Sequence, residues 1–161
     1  MPDRKISENL YADEYVCPHC HSLPPFFYDP AGEIANEYAV LFRAFEQIRA
    51  RRGNVPLGIA RGGGYRCEEY LRGEYEAWVL GGKKGAVHGF TSVHMFGLAL
   101  DLVAVSKVDQ LGIVALARKI IPQPRIGWKQ YRDAGILTVH VDYGHLIEPR
   151  YSKNLIPSAE W

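Results

Sequence analysis

The chain lacks an excess of either charge, lacks any long apolar run and holds few cysteines, and each shortage removes a class of function. Its 19 basic residues stand against 18 acidic ones, for a formal net charge of +1. That balance leaves no footprint for nucleic acid and no polybasic patch for a membrane surface. No apolar stretch approaches the roughly 20 residues that cross a bilayer, so no membrane span is expected. The opening MPDRKISENLYADEY holds no apolar core of a secretory signal, so synthesis in the cytoplasm without a cleaved leader is expected. Three cysteines, Cys17, Cys20 and Cys67, are an odd number, which speaks against a full disulfide framework. Internal repeats, low-complexity tracts and linkers are absent as well. The 161 residues suit one domain, 1–161, with a sizeable core. Within it, residues 1–30, rich in Pro, Tyr and Phe, are expected to wrap the core irregularly.

Periodicity supplies the elements. Ile34, Tyr38, Leu41, Phe42, Phe45 and Ile48 recur at helical spacing, which predicts an amphipathic helix over 33–52, with Arg49, Arg51 and Arg52 in its last turn and Gly53 as its stop. VPLGIA (55–60) reads as a short strand leading into RGGGYRCEEYL, and a short helix runs from Glu68 to about Val79. A Gly-rich loop, GGKKGAVHGFT, covers 81–91. GLALDLVAV (97–105) reads as a strand. Ser106 and Asp109 resemble a capping box for a helix to about Ile121. RIGW (125–128) and ILTVHVDYG (136–144) are further strands. Helices bracket short strands with little room for crossovers, so the class is α+β with a small antiparallel sheet flanked by helices.

Asp101 sits in the apolar run SVHMFGLALDLV, seven residues after His94. A buried carboxylate is costly unless a cation or several donors compensate it. On TVHVDYG, a period of two places Thr138, His140 and Asp142 on one face and Val139, Val141 and Tyr143 on the other. His145 follows just past Gly144. If Gly97 lets the chain turn, His94 and Asp101 converge. With His140 they make a familiar catalytic zinc arrangement of three protein ligands and a water. Plainer readings stand beside it: Asp101 paired with Arg61 or Arg66, and Asp142 opening a turn before Tyr143 and Gly144. In CPHCH, Cys17 and Cys20 with His19 and His21 form half of a zinc knuckle. No second CxxC completes it, although Cys67 could fold back. A second, structural zinc at Cys17/Cys20 and ordinary buried thiols both stay open.

SVHMFGLALD resembles the SxHxxGxAxD signature of zinc D-Ala-D-Ala carboxypeptidases and related peptidoglycan peptidases, with Ser92, His94, Gly97, Ala99 and Asp101 in place. GGGYRCEEYL is similar to the family's SGYR segment, with Tyr65, Arg66 and Tyr70 in register. GGKKGAVHGFTSVH, VHVDYG and the early ADEYVCPHC resemble further family segments, so the likeness spans about residues 12–144. It implies the α+β fold shared with lysostaphin-like peptidases and the Hedgehog signalling domain, and one zinc held by His94, Asp101 and His140. It also implies hydrolysis of peptidoglycan stem peptides beside a D-amino acid, by a monomer acting at the cell wall or periplasm, as a phage endolysin or a cellular enzyme exported by other means. Asp142 is the first candidate for the base, or else the partner that orients a ligand histidine, and His145 is the second. Arg66 suits a clamp on a substrate carboxylate, or a bridge to a loop carbonyl or Glu68. Ser92 touches substrate or fixes its loop, and His88 of the Gly-rich loop is a further substrate contact. The departures are Gly63 where the family has Ser, Leu71 where it has Asn, a longer loop between Arg66 and His94, and Leu137 where relatives carry a carboxylate. A DxxH reading would instead make Asp142 the base and His145 the third ligand. A zinc-stabilised binding module without turnover is the alternative function.

Overall fold

The computed structural model describes residues 4–53, 55–81 and 92–146. The N-terminal segment is less irregular than expected. Lys5–Ser7 (β1) and Leu10–Tyr11 (β2) pair antiparallel, and Ala12–Tyr15 (α1) adds one helical turn. Glu46 anchors the hairpin: its carboxylate accepts from Ser7 Oγ at 2.5 Å, from the Asn9 amide at 2.7 Å and from Asn9 Nδ2 at 2.8 Å. A carboxylate 37 or more residues away in sequence stabilises two strands too short to register as a pattern.

Asn36–Arg51 (α2) carries Glu46 and buries Tyr38, Leu41, Phe42, Phe45 and Ile48, five of the six residues whose spacing predicts a helix over 33–52; Ile34 precedes it and forms a β-bridge with Tyr28 instead. The strand expected over 55–60 shortens to Gly58–Ile59 (β3), and Glu68–Leu80 (α3) follows. Ala99–Val103 (β4) leads into Lys107–Ile120 (α4), where Ser106 Oγ accepts from the Asp109 amide at 3.1 Å and caps the helix. Arg125–Gly127 (β5), the helical turn Lys129–Asp133 (α5), which the sequence pattern does not announce, and Thr138–Asp142 (β6) complete the described elements.

The α+β expectation holds: the larger sheet runs β3-β4-β6-β5 and is antiparallel at every pairing. Leu100 and Leu102 of β4 stand opposite Val141 and Val139 of β6, and all four are buried. They join Ile113, Val114 and Ala117 of α4 and the apolar face of α2 in one core. At the edge of that core, Arg52 and Asp109 form a two-pronged ion pair, with Nε to Oδ1 at 2.9 Å, which ties the end of α2 to the start of α4. Tyr15, Phe27, Tyr38 and Phe42 pack ring on ring and seat the N-terminal segment on α2. Among the described residues, no helix is long and apolar enough to cross a membrane.

Candidate metal centre

The register of β4 on β6 sets Asp101 directly opposite His140, Ala99 opposite Asp142 and Val103 opposite Thr138. Cross-strand partners share a face, so the carboxylate and the imidazole meet on the side away from Leu100 and Val141. His94 arrives from a 3-10 turn, Val93–Phe96, that leads into β4. Ser92 caps this turn, its Oγ accepting from the His94 amide at 3.3 Å, so the observed contact of Ser92 is one that fixes its loop. Gly97 closes the turn at φ +71°. A Cβ there would lie 2.6 Å from Pro24 Cγ and 2.7 Å from Tyr15 Oη, so the sharp entry into β4 requires glycine.

Three donor atoms converge. His94 Nε2 lies 3.1 Å from His140 Nδ1 and 3.3 Å from Asp101 Oδ1, and His140 Nδ1 lies 2.8 Å from the same oxygen. All three residues are buried. Donors at tetrahedral zinc distances lie about 3.3 Å apart, so this spacing suits a metal ion of that kind. The outer nitrogens suit it too. His94 Nδ1 is 2.7 Å from the Gly64 carbonyl, which only an N–H can satisfy, so the Nε2 lone pair faces the cluster. His140 Nε2 is 3.0 Å from Asp142 Oδ2 and donates to it, which turns Nδ1 inward. Such an arrangement asks for a positive charge at its centre, from a cation or from a proton on His140. Burial pulls His140 down, but its bonds to Asp101 and Asp142 lift it to about 9. Burial lowers His94. Burial would raise Asp101, yet the two histidines hold it well below the usual carboxylate range. The residues present therefore form a group able to bind a metal ion.

The surrounding residues sort the remaining expectations. Asp142 is fully buried, with Oδ2 on His140, and Oδ1 accepting from Arg125 Nε at 2.9 Å and from the Gly144 amide at 2.8 Å. Both oxygens are held by neighbours, which is the arrangement of a partner that orients a ligand histidine, one of the two roles weighed for Asp142. Arg66 reaches neither Glu68 nor open solvent alone: Nη2 lies 2.5 Å from Asp101 Oδ2, Nε bonds the Gly62 carbonyl, and Nη1 is 3.3 Å from Glu74 Oε2. Glu68 pairs with Arg72 instead. Asp101 thus meets both of its predicted partners, histidines at Oδ1 and a guanidinium at Oδ2. Arg61, the other arginine considered for it, is exposed. His145 is not brought into the converging group. It lines a groove of about 930 Å³ with Pro24, Met95, Phe96, Tyr143 and Leu146, and its Nδ1 is buried without a partner among the described residues. His88 lies outside the described residues.

Sequence reasoning misses two contributors. Arg125 stands opposite Asp142 across β5 and β6, a pairing visible only once the register is known. The Gly64 carbonyl orients His94, and backbone atoms leave no signature in residue identity. Gly64 comes so close to Tyr15 that a Cβ would sit 2.4 Å from the Tyr15 carbonyl oxygen, which accounts for one glycine of the GGG run.

Two further groups of possible metal donors share Cys67: Cys17, Cys20 and Cys67, whose sulfurs lie within 4.8 Å of one another, and His19, Cys67 and Glu69. The chain matches no protein-family model, no curated protein and no solved structure.

Proposed function

We propose that the chain is a zinc-dependent peptidase that cuts peptidoglycan stem peptides beside a D-amino acid. The observation that carries this reading is the convergence of His94 Nε2, His140 Nδ1 and Asp101 Oδ1, with the outer nitrogen of each ring already hydrogen-bonded. These three atoms would hold the ion. A zinc in such a site supplies Lewis acidity toward the scissile carbonyl and a bound water acidified toward neutrality. The SVHMFGLALD likeness supports the substrate class.

The chain's own groups take the other roles. The Gly64 carbonyl and Asp142 keep protons on the outer nitrogens and hold both rings in their ligating orientation. Arg66 balances the charge of Asp101 and, partly exposed, presents guanidinium donors to a substrate carbonyl or carboxylate. Glu74 Oε2 lies on the far side of that guanidinium and is nearly half exposed. It takes the proton-accepting role that the buried Asp142 is not placed to fill, and passes the proton to the leaving amine.

One observation favours the second reading, a zinc-stabilised binding module: the carboxylate expected as base is engaged behind His140. Metal content by elemental analysis, measured with digestion of purified muropeptides, separates the two. The peptidase reading expects zinc in the wild type, its loss in His140→Ala and its retention in His145→Ala. Glu74→Gln keeps its zinc but loses turnover. Zinc without digestion of any wall peptide supports the binding module, and a metal-free wild type removes both readings.

A further inference from the structure

We propose that Cys17, Cys20 and Cys67 form a second, structural metal site that takes a zinc-class ion through three thiolates, with His19 as the fourth ligand, and that staples the N-terminal segment to the wall of the His94 centre. The three sulfurs come from two segments 50 residues apart, Cys17 and Cys20 from one turn and Cys67 from the start of α3. Donors at about 2.3 Å from a tetrahedral ion lie about 3.8 Å apart, so a group already within 4.8 Å needs little movement to close.

The turn is built for a sulfur ligand. The His21 amide donates to the Cys17 carbonyl at 2.9 Å, and His21 adopts φ +52°, which folds the chain back so that Cys20 returns beside Cys17. The Cys67 amide donates to Cys17 Sγ at 3.3 Å, which joins the two segments at the sulfur itself. His19 Nδ1 is 3.4 Å from Cys67 Sγ. It lies near Cys67 but not within the same distance of all three sulfurs. Its exposed side chain has the freedom to swing into the fourth position. Three thiolates and an imidazole are a soft set, matched to zinc and not to calcium or magnesium.

The staple has a clear purpose in the fold. The Tyr65 amide donates to the Tyr15 carbonyl at 2.8 Å, and the Tyr15 hydroxyl donates to the Gly97 carbonyl. Between these contacts lie Gly64, whose carbonyl orients His94, and Arg66, which holds Asp101. Cys17 is two residues past Tyr15, and Cys67 is next to Arg66. An ion across them therefore fixes the spacing of both segments where they border the first centre, whatever that centre does.

The test is cobalt(II) substitution of the full chain, purified and held under reductant. The wild type should show thiolate-to-cobalt charge-transfer absorption in the near ultraviolet, and so should His94→Ala, whose first centre is broken. The exposed Cys20→Ser should weaken or lose the band, and Cys67→Ser should lose it. Elemental analysis should find one zinc remaining in His94→Ala and none in His94→Ala combined with Cys67→Ser. Absence of the band from both wild type and His94→Ala overturns the site without touching the peptidase reading. A thiol titration showing a native disulfide among the three overturns it as well. Because the first two samples carry no cysteine change, a folding defect in Cys67→Ser leaves the result decisive.

Discussion

Asp142→Asn separates an orienting role from a base role. In the wild type, Oδ2 accepts the His140 Nε2 proton at 3.0 Å, while Oδ1 accepts from Arg125 Nε at 2.9 Å. Asparagine keeps the shape and one acceptor oxygen but removes the charge and turns an N–H₂ toward one of these donors. Loss of such an outer partner costs about 10–100-fold in metal affinity, or about 1.4–2.7 kcal/mol. Fold stability falls too, by about 1–3 kcal/mol, since one buried donor loses its acceptor. Competition for zinc against a chromophoric chelator reads the affinity, and thermal unfolding of the apoprotein reads the stability. Excess zinc should restore most of the turnover in Asp142→Asn, because the chemistry itself is intact. A base behaves differently: its loss leaves zinc affinity unchanged and lowers turnover by about 10²–10⁴ at saturating metal. An Asp142→Asn protein with wild-type zinc affinity and no recovery of turnover refutes the orienting role and the pairing geometry behind it.

Two further outcomes test the frame around the site. Gly97→Ala forces an L residue into φ +71° and sets its Cβ against Pro24 and the Tyr15 hydroxyl. The backbone alone costs about 1–2 kcal/mol, and thermal unfolding should drop by at least about 3 °C, with zinc affinity falling as His94 shifts; an unchanged melting temperature contradicts the packing. For Asp109, burial raises the carboxyl, but the hydrogen bond from Arg52 and the Val105 amide outweigh it and lower it. A depressed folded-state value means that its contribution to stability is complete above the unfolded value of about 4 and is lost as pH falls through the folded one. Denaturant unfolding of wild type and Asp109→Asn should therefore differ most near neutral pH and converge in acid; a gap that widens on acidification refutes the ion pair as the source.

The parts of this protein that could be read from its residues are those in which a single element carries its own pattern. The five apolar positions from Tyr38 to Ile48 predict α2 almost to its ends, and Ser106 with Asp109 marks the start of α4. Alternation in TVHVD places His140 and Asp142 on one face, and the same rule places Asp101 opposite to Leu100 and Leu102. What alternation leaves open is register. Sliding β4 by two residues against β6 would keep every side chain on its face and set Asp101 opposite Thr138 or Asp142 in place of His140. The Tyr143 amide, donating to the Leu98 carbonyl, extends the observed register one pair beyond the strands, and the Asp101 amide, donating to the Gly63 carbonyl, fixes β4 against the segment on its other side.

The same distinction explains why the residues alone leave Asp142 between two roles. Its identity and its place beside His140 suit a base and an orienting partner equally well, because both roles need a carboxylate near an imidazole. The choice depends on what meets its oxygens. Those groups, Arg125 on β5 and the Gly144 amide, come from a strand pairing and from backbone, neither of which has a spacing to His140 that a one-dimensional pattern would reveal. Burial would raise the Asp142 carboxyl, but the hydrogen bond and charge of His140, followed by the Arg125 guanidinium, lower it. An ionised, fully buried carboxylate with a cation on one side and an imidazole N–H on the other holds its proton acceptor strength within that pair. The carboxylate with an oxygen toward solvent on this side is Glu74, 3.3 Å from Arg66 Nη1 and nearly half exposed.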